Sequence, residues 1–164
     1  MNGFGTITLD RTTETNTLRF ERLLTFSPEE VWAALTEPAR LREWLAEAEV
    51  VPGPEGSVTL DFGEGGKESG RITVWDPPAV LAYEWQSEGP SLVRWELSAV
   101  DEGSATRLTL EHTRLRPEVS PGYGAGWHAH LDQLEGHLAG DVPDWQELFA
   151  ELQPRYAKIA TTTV

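Results

Sequence analysis

The segment that does most to define the fold is residues 27–38, which read SPEEVWAALTEP. Ser27 is a typical helix N-cap, Pro28 suits the first helical position, and Glu30 is placed to complete a capping box. Because the residue before a proline is disfavoured in the helical conformation, we expect this helix to end near Glu37. A second short helix is predicted directly after it, with an apolar face that carries Leu41, Trp44 and Leu45.

The segment before this helix has the two-residue period of a half-buried strand. From Thr17 onward one set of alternate residues is apolar except for Arg22, and this set consists of Leu18, Phe20, Arg22, Leu24 and Phe26. Residues 1–16 are rich in Thr and Gly and show little periodicity. We therefore expect a loosely ordered lead-in over residues 1–16 and a domain that begins at residue 17.

Between Glu47 and Thr113 the sequence predicts a series of antiparallel strands. Turn signals rich in Gly, Pro and Asp recur at roughly 8–12 residues. The predicted strands cover residues 57–62, 70–76, 79–87, 91–100 and 104–113. Their alternation predicts one apolar, Trp-rich face made of Ile72, Val74, Leu81, Tyr83, Trp85, Val93, Trp95, Leu97, Leu108, Leu110 and His112.

The C-terminal part of the sequence predicts a helix that covers this face. Its apolar residues Trp127, Leu131, Leu134 and Leu138 recur at the spacing of an amphipathic helix that ends at Gly140. A final helix is predicted to open at Pro143-Asp144 and to be broken by Pro154, which leaves residues 157–164 as a tail. The fold class is therefore α+β, with a single domain over residues 17–156.

The composition excludes several classes of partner and site. The 164 residues carry a net charge of −14, without the cluster of Lys and Arg that nucleic acids or anionic membranes require. The absence of Cys excludes disulfides and thiolate metal sites. Residues 1–10 lack the pattern of a signal peptide, and no apolar run approaches 18 residues, so we expect a cytoplasmic protein with no nucleic-acid or membrane partner.

This order of elements resembles the helix-grip arrangement, and local motifs are similar to those of the activator of heat-shock ATPase homologue family in the START-like SRPBCC superfamily. The matching motifs are residues 19–22, 27–38, 41–45, 70–72, 76–78, 81–85, 106–112 and 126–134. The resemblance covers residues 17–156. It implies a curved antiparallel sheet around a long C-terminal helix, with two short helices after the first strand. The family's frequent two-fold association also makes a homodimer an expectation.

The resemblance favours a cavity between the sheet and the long helix that binds a small hydrophobic or aromatic molecule. From the residues alone, the large aromatic side chains are equally compatible with a filled core. The predicted ligand-binding residues are Ile72, Val74, Tyr83, Trp85, Trp95, Leu97, Leu110, His112, Trp127, Leu131 and Leu134. His112 is either a polar group that orients the ligand or a core histidine paired with a backbone carbonyl. The tryptophans on the other helices, Trp32, Trp44 and Trp145, are predicted to be packing anchors.

No catalytic residue, metal site or cofactor is predicted, because no nucleophile with a base, metal-ligand cluster or cofactor motif occurs. An enzyme of the aromatase/cyclase type remains an alternative and would depend on His112, Tyr83 and His130. A module that binds a protein through its acidic surface is another. Activation of a heat-shock ATPase is not expected, since this domain resembles only the second half of the two-domain eukaryotic activator.

Overall fold

The computed structural model describes residues 3–163 and has the predicted α+β class. Nine strands within these residues form one curved sheet, ordered β3-β4-β5-β6-β7-β8-β2-β1-β9, around the long helix α3. The elements are β1 (Thr6–Asp10), β2 (Thr15–Leu24), α1 (Pro28–Thr36), α2 (Pro38–Trp44), β3 (Glu47–Val51), β4 (Ser57–Asp61), β5 (Lys67–Asp76), β6 (Val80–Trp85), β7 (Ser91–Val100), β8 (Ala105–Leu115), α3 (Ser120–Ala139), α4 (Trp145–Tyr156) and β9 (Thr161–Thr163).

The N-cap at Ser27 and the proline at Pro28 act as the sequence predicts. The backbone N–H of Glu30 donates to Oγ of Ser27 at 3.3 Å, and Pro28 occupies the first turn. Glu37 is extended, so α1 ends there and α2 begins at Pro38. These two short helices follow the second strand, because an unpredicted strand, β1, precedes the first predicted one.

The central strands have the predicted alternation. In the β7/β8 pair, Val93 lies opposite His112, Trp95 opposite Leu110 and Leu97 opposite Leu108, and all six side chains are buried. The face they form packs on α3, whose buried residues include Trp127, Leu131 and Leu134. The hydrophobic core therefore lies between α3 and the concave face of the sheet.

Strand β5 breaks its own alternation, and this corrects the prediction for Val74. The register against β6 shifts between Ile72 and Val74. Ile72 is buried, whereas Val74 is only partly buried and lies outside the core. After the shift Trp75 packs on the core, with its ring centroid 5.2 Å from that of Trp32. A bulge of this kind inserts one residue and moves every later side chain to the other face.

Strand β5 also changes its partner along its length. Residues 67–71 pair with β4, whereas residues 72–76 pair with β6. At the transition, a Cβ on Gly70 would lie 1.7 Å from the carbonyl oxygen of Glu84, so only glycine allows the backbones to approach this closely. The staggered pairing places the β4/β5 loop, residues 62–66, beyond the end of β6.

Both ends of the described chain join the sheet, which differs from the expected lead-in over residues 1–16 and tail over 157–164. Strand β1 pairs antiparallel with β2 and parallel with β9, where Ile7 lies opposite Thr161. Helix α4 also continues through Pro154 to Tyr156 instead of ending at the proline. Strand β1 lies between β2 and β9, and its Ile7 belongs to the core, whereas β9 is an exposed edge strand held by backbone pairing with β1.

Tyr156 ties α4 to the N-terminal segment and to α3. The backbone N–H of Gly5 donates to the Tyr156 hydroxyl at 2.9 Å, and this hydroxyl lies 2.7 Å from Nδ1 of His128. The ring of Phe4 stacks on Tyr156 with centroids 5.2 Å apart. The last helix therefore holds the first strand against the body of the domain.

Candidate ligand-binding cleft

The space beneath the middle of α3, where the sequence predicts a closed cavity, is filled by side chains. Six predicted ligand-binding residues lie here and are at most 6 % exposed; they are Tyr83, Trp95, Leu97, Leu110, Leu131 and Leu134. Trp95 packs edge to face against Trp44 and Trp127, with centroids 6.1 and 5.7 Å apart. Its indole N–H donates to the hydroxyl of Tyr83 at 3.2 Å. This part of the predicted pocket is core.

His112 belongs to the same packed region. It is fully buried, and Trp127 donates its indole N–H to Nδ1 of His112 at 3.0 Å. Nε2 of His112 therefore carries the proton and donates to Oγ of Ser91 at 3.1 Å. The Ser91 hydroxyl donates to the carbonyl oxygen of Trp85 at 2.9 Å. Burial lowers the pKa of His112 to about 3, so the ring is neutral at pH 7.

An open cleft of about 1160 Å³ lies at one end of α3, beside the packed core. Its walls come from the end of α2, the β4/β5 loop, the end of β6, the N-terminal half of α3 and the start of α4. Seven aromatic side chains line it: Trp44, Phe62, Trp85, Tyr123, Trp127, Trp145 and Phe149. Such a concave surface with many aromatic side chains is typical of a small-molecule site.

Mutual contacts hold the aromatic residues of the cleft in place. The indole N–H of Trp85 donates to the hydroxyl of Tyr123 at 3.0 Å, and the Trp85 ring lies 5.5 Å from that of Trp127. Trp85 and Trp127 are buried and form the floor. On α4, the ring of Trp145 lies 4.7 Å from that of Phe149 in a tilted arrangement, and both are half-buried. The floor is therefore fixed, and the α4 wall presents partly exposed rings.

His130 is the histidine that lines the cleft. Its Nδ1 lies 3.2 Å from the carbonyl oxygen of Trp44 and 3.1 Å from Oε1 of Gln133, so Nδ1 carries the proton. The ring packs 5.5 Å from that of Trp145. Burial lowers the pKa of His130 to about 4, although both hydrogen bonds oppose the shift. His130 is therefore neutral at pH 7.

Glu68 places a buried carboxylate in the cleft. It lies on the inward face of β5, two residues from Gly70 and four from Ile72, and is 5 % exposed. Both of its carboxylate oxygens accept from the backbone N–H of Ser87, at 2.9 and 3.3 Å. Among residues 3–163, no Lys, Arg or His side chain forms an ion pair with Glu68 within 4 Å.

The structure brings only two of the eleven predicted ligand-binding residues, Trp85 and Trp127, to the wall of the cleft. The other nine lie in the core or, for Val74, at the sheet surface. Trp44 and Trp145, both predicted to be packing anchors, also line the cleft. The sequence-based prediction missed Phe62, Glu68, Tyr123 and Phe149. Two of these residues could have been found from the sequence. Tyr123 precedes Trp127 by one helical turn, and Glu68 lies four residues before Ile72, which places both side chains on the same face of a strand.

Neither a metal site nor a membrane-spanning helix is found within residues 3–163. Within residues 3–163, no group of three His, Asp or Glu side chains is placed to hold a metal ion. In the same range, no helix is long and apolar enough to cross a membrane.

The sequence matches a known protein family, which agrees with the order of elements described above. The family described as "Activator of Hsp90 ATPase homolog 1-like protein" matches residues 25–139. The chain belongs to this family. No curated protein matches the chain. The expected resemblance is thereby confirmed, together with the fold that it implies.

Solved structures extend the comparison over almost the whole chain. A protein from Bordetella parapertussis is 32% identical, with a TM-score of 0.75 and coverage of 88% of this chain and 86% of that one. CalU16 from Micromonospora echinospora is 23% identical, with a TM-score of 0.75 and coverage of 96% of each chain, and it shares the fold. DynU16, in the dynemicin biosynthetic locus, is 26% identical with a TM-score of 0.69; the match covers 77% of this chain and 48% of DynU16.

Proposed function

We propose that this member of the Activator of Hsp90 ATPase homolog 1-like family binds a small hydrophobic or aromatic molecule in the cleft between the sheet, α3 and α4. The observation that carries this proposal is the set of seven aromatic side chains around one open cleft of about 1160 Å³. A planar ligand gains from burying its own apolar surface and from edge or stacked contacts with these rings.

The location of the cleft differs from the site expected from the sequence, but the ligand class does not. Because side chains fill the core under α3, the ligand lies in the cleft. There it contacts the floor residues Trp85 and Trp127 and the wall residues Trp145 and Phe149. The structural similarity to DynU16, a protein of a biosynthetic locus, supports a role with a small organic molecule.

Catalysis of the cyclase type has less support. Of the three residues on which it would depend, His112 and Tyr83 are enclosed in the core and only His130 lines the cleft. A general base works best with a pKa near the working pH. Because burial lowers the pKa of His130 to about 4, this ring is a weak base. Binding without chemistry is the function that the cleft supports best.

Fluorescence titration with the neutral aromatic probe N-phenyl-1-naphthylamine tests the proposal. We expect saturable binding that quenches tryptophan emission and raises the melting temperature by mass action. Replacing Trp145 by Ala removes one wall of the cleft and should weaken probe binding about fivefold or more. The matched control is Trp75→Ala, because Trp75 packs beside Trp32 and does not line the cleft.

Two results would contradict this function. One is the absence of saturable binding by the wild-type protein; the other is an equal effect of Trp145→Ala and Trp75→Ala on probe affinity. Native mass spectrometry of protein purified from its own host complements the titration, since it reports a co-purified small molecule and the number of subunits together. The same spectrum tests the proposed homodimer.

A further inference from the structure

We propose that the cleft selects a cationic ligand, namely an aromatic molecule that bears a protonated amine, and that the carboxylate of Glu68 holds the amine. This inference rests on the proposed binding function and specifies the chemistry of the ligand. It follows from the position of one buried acid among aromatic rings.

Glu68 accepts few hydrogen bonds for a buried carboxylate. A carboxylate can accept about four hydrogen bonds. Glu68 is 5 % exposed, yet the backbone N–H of Ser87 is the sole donor to it among residues 3–163. Buried carboxylates in proteins are normally paired with a cation or surrounded by several donors. The remaining acceptor positions of Glu68 are therefore available to a donor group of a ligand in the cleft.

Aromatic rings line the same cleft as this acid. Trp85 and Tyr123 line the same cleft and are joined by a hydrogen bond. Burial raises the pKa of Tyr123, and the nearby carboxylates of Glu88 and Glu68 add to the shift, which places Glu68 within electrostatic range of this ring. A cation is attracted to the faces of Trp and Tyr rings, and the attraction grows as water is excluded. An acid beside such rings is a suitable receptor for an alkylammonium group.

The other charged side chains of the cleft are mostly acidic. Two cationic side chains line it, and both lie beside rim acids: Arg42 is 3.8 Å from Glu43 and Lys67 is 3.8 Å from Asp61. Neither is paired with Glu68. With Glu64 and Glu118 also on the wall, the part of the lining that falls in residues 3–163 holds five acids against two bases. The cleft therefore attracts cations and disfavours anionic ligands.

The test compares two probes of matched shape on the full chain: 1-naphthylmethylamine, which is cationic at pH 7, and 1-naphthylmethanol, which is neutral. Calorimetric titration in about 0.15 M salt limits long-range attraction by the net charge of the protein. We expect the amine to bind about tenfold more tightly than the alcohol, as for a charge-assisted hydrogen bond in a partly desolvated site.

A pair of variants assigns the preference to one side chain. Glu68→Gln keeps an acceptor for the N–H of Ser87 but removes the charge, so the amine-to-alcohol preference should fall to about twofold or less through loss of amine affinity alone. Glu64→Gln removes an exposed charge from the same cleft and should leave the preference nearly unchanged. Circular dichroism of each variant verifies folding.

The outcomes separate this inference from the function on which it rests. Equal affinity of the wild-type protein for the amine and the alcohol overturns the cationic ligand but leaves aromatic binding standing. A preference that survives in Glu68→Gln overturns the role of Glu68. If neither naphthalene binds, both proposals fail. The wild-type comparison stands alone even if Glu68→Gln does not fold.

Discussion

The indole N–H of Trp127 donates to Nδ1 of His112 at 3.0 Å inside the core. This bond fixes the tautomer of the imidazole and begins a polar chain that continues through Ser91 to the backbone of Trp85. The chain joins α3 to three neighbouring strands, and each donor in it has an acceptor. His112 is thus a structural residue, paired through a serine rather than directly with a carbonyl.

Replacing His112 by Leu should destabilise the domain by about 2–4 kcal/mol, since it leaves the Trp127 N–H without its acceptor and the Ser91 hydroxyl without its donor. Urea unfolding monitored by tryptophan fluorescence measures the loss. His137→Leu is the control because His137 is only partly buried, near the end of α3. Equal effects of the two substitutions would contradict the structural role of the chain.

The stability of the protein should fall in mild acid. Burial lowers the pKa of His112 to about 3 and the pKa values of His128 and His130 to about 4. The unfolded chain therefore binds more protons below pH 6.5, so the free energy of unfolding is highest above that pH and falls toward pH 4. Each ring adds a slope of at most about 1.4 kcal/mol per pH unit. Urea titrations from pH 7 to pH 4.5 measure the slope, and a flat profile would contradict the neutral, buried state of these rings.

Arg22 is expected to matter far more than its neighbour on the outer face of β2. Its side chain is 7 % exposed and bonds Asp132 at 2.9 Å and Glu135 at 3.3 Å. Arg22→Met leaves these acids without their cation and should cost about 3 kcal/mol. The control Arg19→Met removes a side chain that is 49 % exposed, which should cost less than about 1 kcal/mol. Thermal unfolding of both variants measures the two losses of stability. Similar losses would contradict the greater importance of Arg22.

The contact between α3 and α4 depends on Gly124. A Cβ at this position would lie 2.6 Å from the ring of the buried Tyr156. Gly124→Ala should therefore destabilise the domain by about 1–3 kcal/mol and increase protease cleavage in α4. Gly126→Ala is the matched control, because a Cβ there would meet no atom of another element within 4 Å and alanine favours a helix by about 1 kcal/mol. A stable Gly124→Ala would show that α4 can move aside at little cost.

Local sequence chemistry was sufficient for α1, α2, α3 and most of the central strands. The cap at Ser27, the proline at Pro38 and the stripe that includes Trp127 and Leu131 each depend on residues close in sequence, and the structure has helices at the predicted positions. The inward position of Arg22 follows from the same two-residue period as that of Phe20. These features need no knowledge of the tertiary structure.

Features that depend on pairing between distant segments could not be predicted in the same way. Strand β3 alternates only between exposed and partly buried residues, and β1 and β9 pair across more than 150 residues of sequence. The bulge after Ile72 changes the face of Val74 and Trp75 without a glycine or proline to mark it. Register and edge pairing are properties of the assembled sheet.

The aromatic lining of the candidate site agrees with the sequence-based prediction, but its position does not. A sequence shows that aromatic residues share a face, but it does not show whether their volumes fill the space under a helix. Trp95 and Tyr83 fill that space, and the open cleft lies where the β4/β5 loop and α4 extend beyond the core. Trp145 and Phe149 lie on α4, the helix whose packing was predicted least well from the sequence.

The two ends of helix α4 make different contacts. Trp145 at the start of the helix lines the cleft, and the hydroxyl of Tyr156 at its end accepts a hydrogen bond from the backbone N–H of Gly5. Because both contacts are on one helix, we expect ligand binding at Trp145 to stabilise the contact between Tyr156 and Gly5. A molecule that immobilises Trp145 should slow amide hydrogen exchange in β1 and β9, at the far margin of the sheet from the guest. Amide hydrogen exchange in the first and last strands of the chain would then respond to ligand binding, although these strands do not line the cleft.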